Sequence, residues 1–151
     1  MSLKNHDQTN YTINVLGPPG WGKTTMINYF NGIMPKILSN GKILYTPTKK
    51  KEITKISISD ILLKFVDYPG NKSEFDKISD QFHEKSDIYL IFRWYDCIDH
   101  VYYEDKVPKD SKILYLMDYD YFYQTEKHHE SILNNIINVC KKDDHQVKII
   151  Y

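Results

Sequence analysis

The stretch GPPGWGKTT, Gly17 to Thr25, decides how this 151-residue chain is read. It fits the pattern Gly, any four residues, Gly-Lys-Ser/Thr at every fixed position. The spacing has a chemical reason. Gly17, Gly20 and Gly22 let backbone N–H groups turn inward onto phosphate oxygens, and a following helix adds its positive dipole end. Lys23 supplies a point charge for the outer phosphates, and the Thr24 hydroxyl is placed to reach Mg²⁺. Pro18 and Pro19 stiffen the loop by fixing φ. Trp21 occupies a free position, so its indole is expected to point away from the phosphates, over the sugar or outward.

The motif requires a strand before it and a helix after it, and the flanks supply both. YTINVL (11–16) is a β-branched, aromatic run, and KTTMINYFNGIMP (23–35) carries Met26, Ile27, Phe30 and Ile33 at helical spacing. A connection over 39–51 is mostly exposed. EITKISIS (52–59), with Ile53, Ile56 and Ile58, and the nearly continuous ILLKFVD (61–67) then form a hairpin around Ser59 and Asp60. A polar helix is expected over 74–85, buried strands over 87–94 and 112–118, and only a short helix between them. A longer helix follows over 121–142, with Ile132, Leu133, Ile136, Ile137 and Cys140 on its apolar face, and 145–151 reads as a last strand. Strands alternating with helices, apart from the hairpin, predict a three-layer α/β fold around a mainly parallel sheet. Residues 1–10 read as a flexible tail and 11–151 as a single domain.

Composition narrows the partners. Twenty basic residues balance twenty acidic ones, so no general pull toward nucleic acid or an anionic membrane follows. Arg93 is the single arginine. Cys97 and Cys140 form no metal spacing, and a reducing, cytoplasmic compartment is expected. The N-terminus lacks the apolar core of a signal peptide, and no apolar run approaches spanning length. His128 and His129 read as surface residues, and His83 and His100 have no ligand spacing around them. Arg93 reads as structurally paired with an acid or, alternatively, as an arginine finger.

A second element narrows the reading. The buried strand ends at Asp67, followed by Tyr68-Pro69-Gly70, an Asp-x-x-Gly sequence after a hairpin. Together with the Gly17–Thr24 loop, this resembles the Ras superfamily of small GTPases, whose fold is the P-loop NTPase sandwich. The resemblance covers about residues 11–151. It implies GTP and GDP as ligands, Mg²⁺ held by Thr24 and, through water, by Asp67, and a γ-phosphate sensed by the Gly70 N–H. The switch threonine that covers Mg²⁺ is Thr48 or Thr46. The Thr48 spacing is similar to that of the Arf branch and the signal recognition particle receptor β subunit. Segments 36–51 and 68–80 would be the switches through which a protein effector or regulator binds.

Three departures qualify the resemblance. Asn71 stands where the family often places a Gln to orient the attacking water, so hydrolysis should be slow or absent. Of the family's base-reading Asn-Lys-any-Asp motif, laid on Met117 to Asp120, only Asp120 survives as an acceptor for guanine. The chain ends with the expected last strand, so the family's closing C-terminal helix is expected to be missing. The expected function is a Mg²⁺-dependent guanine nucleotide switch, with Lys23, Gly70 and Asn71 in the catalytic positions. The nucleotide contacts would come from Gly17 to Thr25, Thr48, Gly70 and Asp120. The alternatives are a degenerate interaction module without turnover, or a small P-loop ATPase or kinase.

Overall fold

The computed structural model describes residues 8–79, 86–142 and 148–150. Six strands form one sheet: β1 (Thr9–Leu16), β2 (Glu52–Ile58), β3 (Ile61–Asp67), β4 (Ile88–Arg93), β5 (Ile113–Met117) and β6 (Lys148–Ile150). Their order is β2-β3-β1-β4-β5-β6. All neighbours pair in parallel except β2 and β3, which form the antiparallel hairpin. The helices are α1 (Lys23–Phe30), α2 (Lys72–Ile78), α3 (His100–Glu104) and α4 (Glu126–Lys141).

Alternation along the strands divides the core in two. Ile13, Val15, Phe65, Leu90 and Leu114 pack with Met26, Ile27, Ile132 and Ile136 of α1 and α4. Leu16, Val66, Tyr89, Ile91 and Tyr115 pack with Phe75 of α2 and Tyr103 of α3. Strands covered on both faces read as continuous apolar runs, which is why β3, β4 and β5 are legible in the sequence. The architecture is the expected three-layer α/β sandwich.

Element ends differ from the sequence reading for identifiable reasons. Helix α1 stops at Phe30 instead of reaching residue 35. Gly32 at φ 76° reverses the chain, and the amides of Gly32 and Ile33 return to the carbonyls of Tyr29 (3.0 Å) and Asn28 (2.8 Å). This Schellman closure ends the helix and leaves Ile33 exposed. Ile53 is likewise exposed while Ile56 is buried, because an offset of three puts them on opposite faces of β2. Helix α4 begins at Glu126, five residues later than read, since Thr125 caps it in a reciprocal box with His128. Residues 121–123 form a separate 3₁₀ turn. The expected helix over 74–85 starts earlier, at Lys72, and its part beyond residue 79 lies outside the described residues, as do His83, residues 145–147 and Tyr151.

Candidate functional site

The loop after β1 delivers Lys23 and Thr24 into the first turn of α1. Lys23 is buried, and its Nζ donates to the carbonyls of Gly17 (2.8 Å) and Pro18 (2.9 Å). Burial lowers its pKa to about 8, with the Asp67 charge opposing the shift. Gly22 is confined twice over. Its φ is 93°, and a Cβ there would lie 3.0 Å from the Tyr119 ring.

Asp67 ends β3 directly opposite. Its Oδ2 accepts a 2.5 Å hydrogen bond from Thr24 Oγ1, and Thr24 Oγ1 lies 3.1 Å from Thr48 Oγ1. The other oxygen, Oδ1, is buried and has no hydrogen-bond partner among the described residues. Burial raises the Asp67 pKa to about 6 despite the Thr24 hydrogen bond and the Lys23 charge, and Glu52, its cross-strand partner, adds to the rise. Two hydroxyls and a carboxylate with an unused oxygen form an all-oxygen donor set suited to a hard divalent cation. Among the described residues no group of three or more His, Cys, Asp or Glu could hold a metal ion.

A cavity of about 350 Å³ opens over this group. Pro19, Gly20, Lys23, Thr24, Thr25, Thr46, Thr48 and Gly70 all line it, so the fold brings these sequence-predicted residues together. Thr48 is the threonine bonded to Thr24. Gly70 rests on the loop: a Cβ there would lie 2.7 Å from Pro18 C and Pro19 Cα, so no other residue fits without displacement. The Tyr103 hydroxyl of α3 donates to the Gly70 carbonyl from behind.

Other residues are placed elsewhere. Asn71 Oδ1 accepts from Ser73 N (3.0 Å), Ser73 Oγ (2.8 Å) and Glu74 N (3.3 Å), so it serves as the N-cap of α2. Asp120 Oδ1 accepts from Phe122 N (3.0 Å) and caps the 3₁₀ turn. Trp21 leaves the phosphate side and meets Trp94 edge to face, with ring centroids 6.0 Å apart. Between them lies a second cavity of about 720 Å³, lined by Trp21, Trp94, Tyr95, Asp96, Cys97 and Asp118. Arg93 forms no salt bridge with an acid among the described residues; its guanidinium sits 5.6 Å over the Tyr115 ring.

His129 is buried, not on the surface as its sequence context suggested, with Nε2 2.8 Å from the Tyr119 hydroxyl. Sequence reasoning missed this histidine and the tyrosines Tyr103 and Tyr119 that brace Gly70 and Gly22. The signal that could have found His129 is its register. Steps of three and four residues put His129, Ile132, Leu133 and Ile136 on one face of α4, over the same core. Nothing local marks the tyrosines.

No family model and no curated protein matches the chain. Solved structures do. The chain is similar to Era of Aquifex aeolicus bound to GDP and AlF4⁻, at 16% identity and a TM-score of 0.54, over 94% of this chain and 51% of that one. It is similar to the translation elongation factor SelB of Methanococcus maripaludis in complex with the GTP analogue GPPNHP, at 17% identity and a TM-score of 0.62, over 95% of this chain and 30% of that one. It is also similar to the cytosolic domain of the T. maritima FeoB iron transporter in a GDP form, at 12% identity and a TM-score of 0.61, over 93% of this chain and 67% of that one. The chain thus spans about half the length of Era and under a third of SelB. At these identities the likeness establishes the fold alone, and that fold is the P-loop GTPase fold.

Proposed function

We propose that the chain is a Mg²⁺-dependent guanine nucleotide-binding protein of the small GTPase type, with slow or absent hydrolysis. The observation that carries this is that Lys23, Thr24 and Thr48 line one cavity at the glycine loop, with the Asp67 carboxylate hydrogen-bonded to Thr24 behind them. Guanine is favoured because the three similar structures hold GDP or a GTP analogue.

In this reading the loop amides and the α1 N-terminus bind the phosphates, and the Lys23 ammonium exchanges the Gly17 and Pro18 carbonyls for phosphate oxygens. Thr24 and Thr48 hydroxyls and the Asp67 carboxylate, directly or through water, would hold Mg²⁺. The unpartnered Asp67 Oδ1 fits that role. The metal supplies charge neutralisation at the phosphates when bound. The Thr48 assignment keeps the spacing of the Arf and receptor β branch. Residues 36–51 and 68–80 act as switches toward an effector in the cytoplasm. Residues 11–151 form the nucleotide-binding unit, with 1–10 as its tail.

Asn71 favours the slow end of the range. Its side-chain oxygen is taken up by capping α2, so the acceptor that would orient water is committed and only the amide N–H groups remain. The same observation supports the second reading, a nucleotide-holding interaction module without turnover. Equilibrium dialysis of GDP, GTP and ATP with Mg²⁺, followed by single-turnover assays, separates these. Guanine nucleotide binding that falls at least tenfold in Lys23→Ala is expected. Equal binding by that variant would overturn the site.

A further inference from the structure

Two surfaces of the chain leave large apolar side chains in water beside charges of a single sign. The first is the arm that follows α1. Residues 36–44 form a small hairpin: the Leu44 N–H donates to Lys36 O at 2.8 Å, the Leu38 N–H to Lys42 O at 2.7 Å, and Ile37 bridges Ile43. The six-stranded sheet does not include this hairpin, and a two-stranded hairpin on its own is marginal in water. Ile33, Met34, Ile37, Leu38, Leu44 and Tyr45 are all exposed along the arm. Its charge is wholly positive, since residues 33–51 hold Lys36, Lys42, Lys49, Lys50 and Lys51 and no acid.

The second surface follows β4 and runs into α3. Tyr95 is 73% exposed and Ile98 79%, and Val101, whose N–H bonds Ile98 O at 3.0 Å, is exposed one turn on. Here the charge is wholly negative: residues 94–105 hold Asp96, Asp99, Glu104 and Asp105 and neither Lys nor Arg. Asp96 and Asp99 are exposed, and the Asp99 side chain makes no capping bond to α3. Among the described residues Lys36, Lys42, Asp96 and Asp99 enter no ion pair.

We propose that these surfaces meet across two copies of the chain, the 33–45 arm of one copy seated on the 94–101 surface of its partner, with the reciprocal contact closing a two-fold dimer. Opposite charge steers the surfaces together and fixes their register, while the apolar side chains supply the buried area. A second copy answers both surfaces at once. An anionic membrane or an acidic protein would engage the arm and leave the 94–101 surface in water. Used twice, the contact closes on itself and does not propagate head to tail. The two segments then give roughly twenty residues per copy, the number that a standard interface uses. A net charge of zero adds no overall repulsion between copies. Charge and exposure carry the contact, which does not rest on the nucleotide reading.

The test is sedimentation equilibrium of the full chain without nucleotide, from about 5 µM to about 500 µM, a range that brackets micromolar to submillimolar Kd. A monomer–dimer equilibrium is expected, weakening about tenfold or more as salt rises from about 0.05 M to about 0.5 M. The double substitution Lys36→Glu with Lys42→Glu should weaken the dimer about tenfold or more, and so should Asp96→Lys with Asp99→Lys. Thermal melts confirm that both variants fold. Mixing the two restores opposite charge at both contacts, so the mixed dimer should form within about threefold of the parent. Ile98→Ser should weaken the dimer and leave its salt dependence unchanged. A parent chain that stays monomeric overturns the proposal, as does a dimer that ignores both charge reversals or a mixture that does not recover. Species beyond a dimer would overturn the two-fold closure. A monomeric parent that floats with phosphatidylserine–phosphatidylcholine vesicles, and loses this in Lys36→Glu with Lys42→Glu, would overturn the dimer in favour of a membrane.

Discussion

Asp67 is held where burial works against its charge. The carboxylate is 3% exposed, and its pKa rises to about 6 from an ordinary 3.8. Between those two pH values the folded chain binds a proton that the unfolded chain does not. Stability of the nucleotide-free protein therefore falls as pH rises through this window, and the deficit persists above it. Asp67→Asn keeps the shape and the Thr24 contact while removing the charge. It also removes an attraction to Lys23, so the net gain at pH 7 is expected to be about 1–3 kcal/mol. Melting curves from pH 4 to 8 should show the variant above the parent at neutral pH, with the gap closing toward pH 4. A parent that melts higher at pH 7 would mean that the Thr24 hydrogen bond and Lys23 outweigh desolvation.

Helix α2 exists in part because Asn71 closes its N-terminus, which gives a residue expected to act on water a structural role as well. Asn71→Ala is expected to cost about 1 kcal/mol of stability, the usual value of such a cap. Single-turnover hydrolysis should stay within about twofold, since no more than capping is lost; a tenfold fall, far beyond what a cap explains, would return Asn71 to the reaction. The hairpin, the loop and the succession of strands along the chain were legible because their signals are local: continuous apolar runs, a Ser59-Asp60 turn and fixed glycine spacing. The brace on Gly70 was not. Tyr103 reaches it from α3, far along the chain, and a pair of adjacent tyrosines in a polar stretch carries no periodicity.

At the scale of the whole molecule, the two apolar layers fix the sheet, and the sheet fixes the ends of β1 and β3 from which Lys23, Thr24 and Asp67 converge. What closes the cavity is less secured. Met34, Pro35 and residues 43–46 line it, yet Met34, Leu44 and Tyr45 are exposed, and Ile37 and Ile43 meet through an isolated bridge. Few buried contacts hold this arm, so ligand contacts have leverage on it. A bound nucleotide would also offset the cost of the buried Lys23 and Asp67 charges. Ligand at about 100 times its Kd adds about 2.7 kcal/mol, which for a chain of this size raises Tm by roughly 5–11 °C. The full shift should require GDP and Mg²⁺ together, shrink when EDTA replaces the metal, and vanish in Lys23→Ala. Hydrogen exchange of residues 33–48 should slow in parallel. A thermal shift without slower exchange there would mean that the arm takes no part in holding the nucleotide.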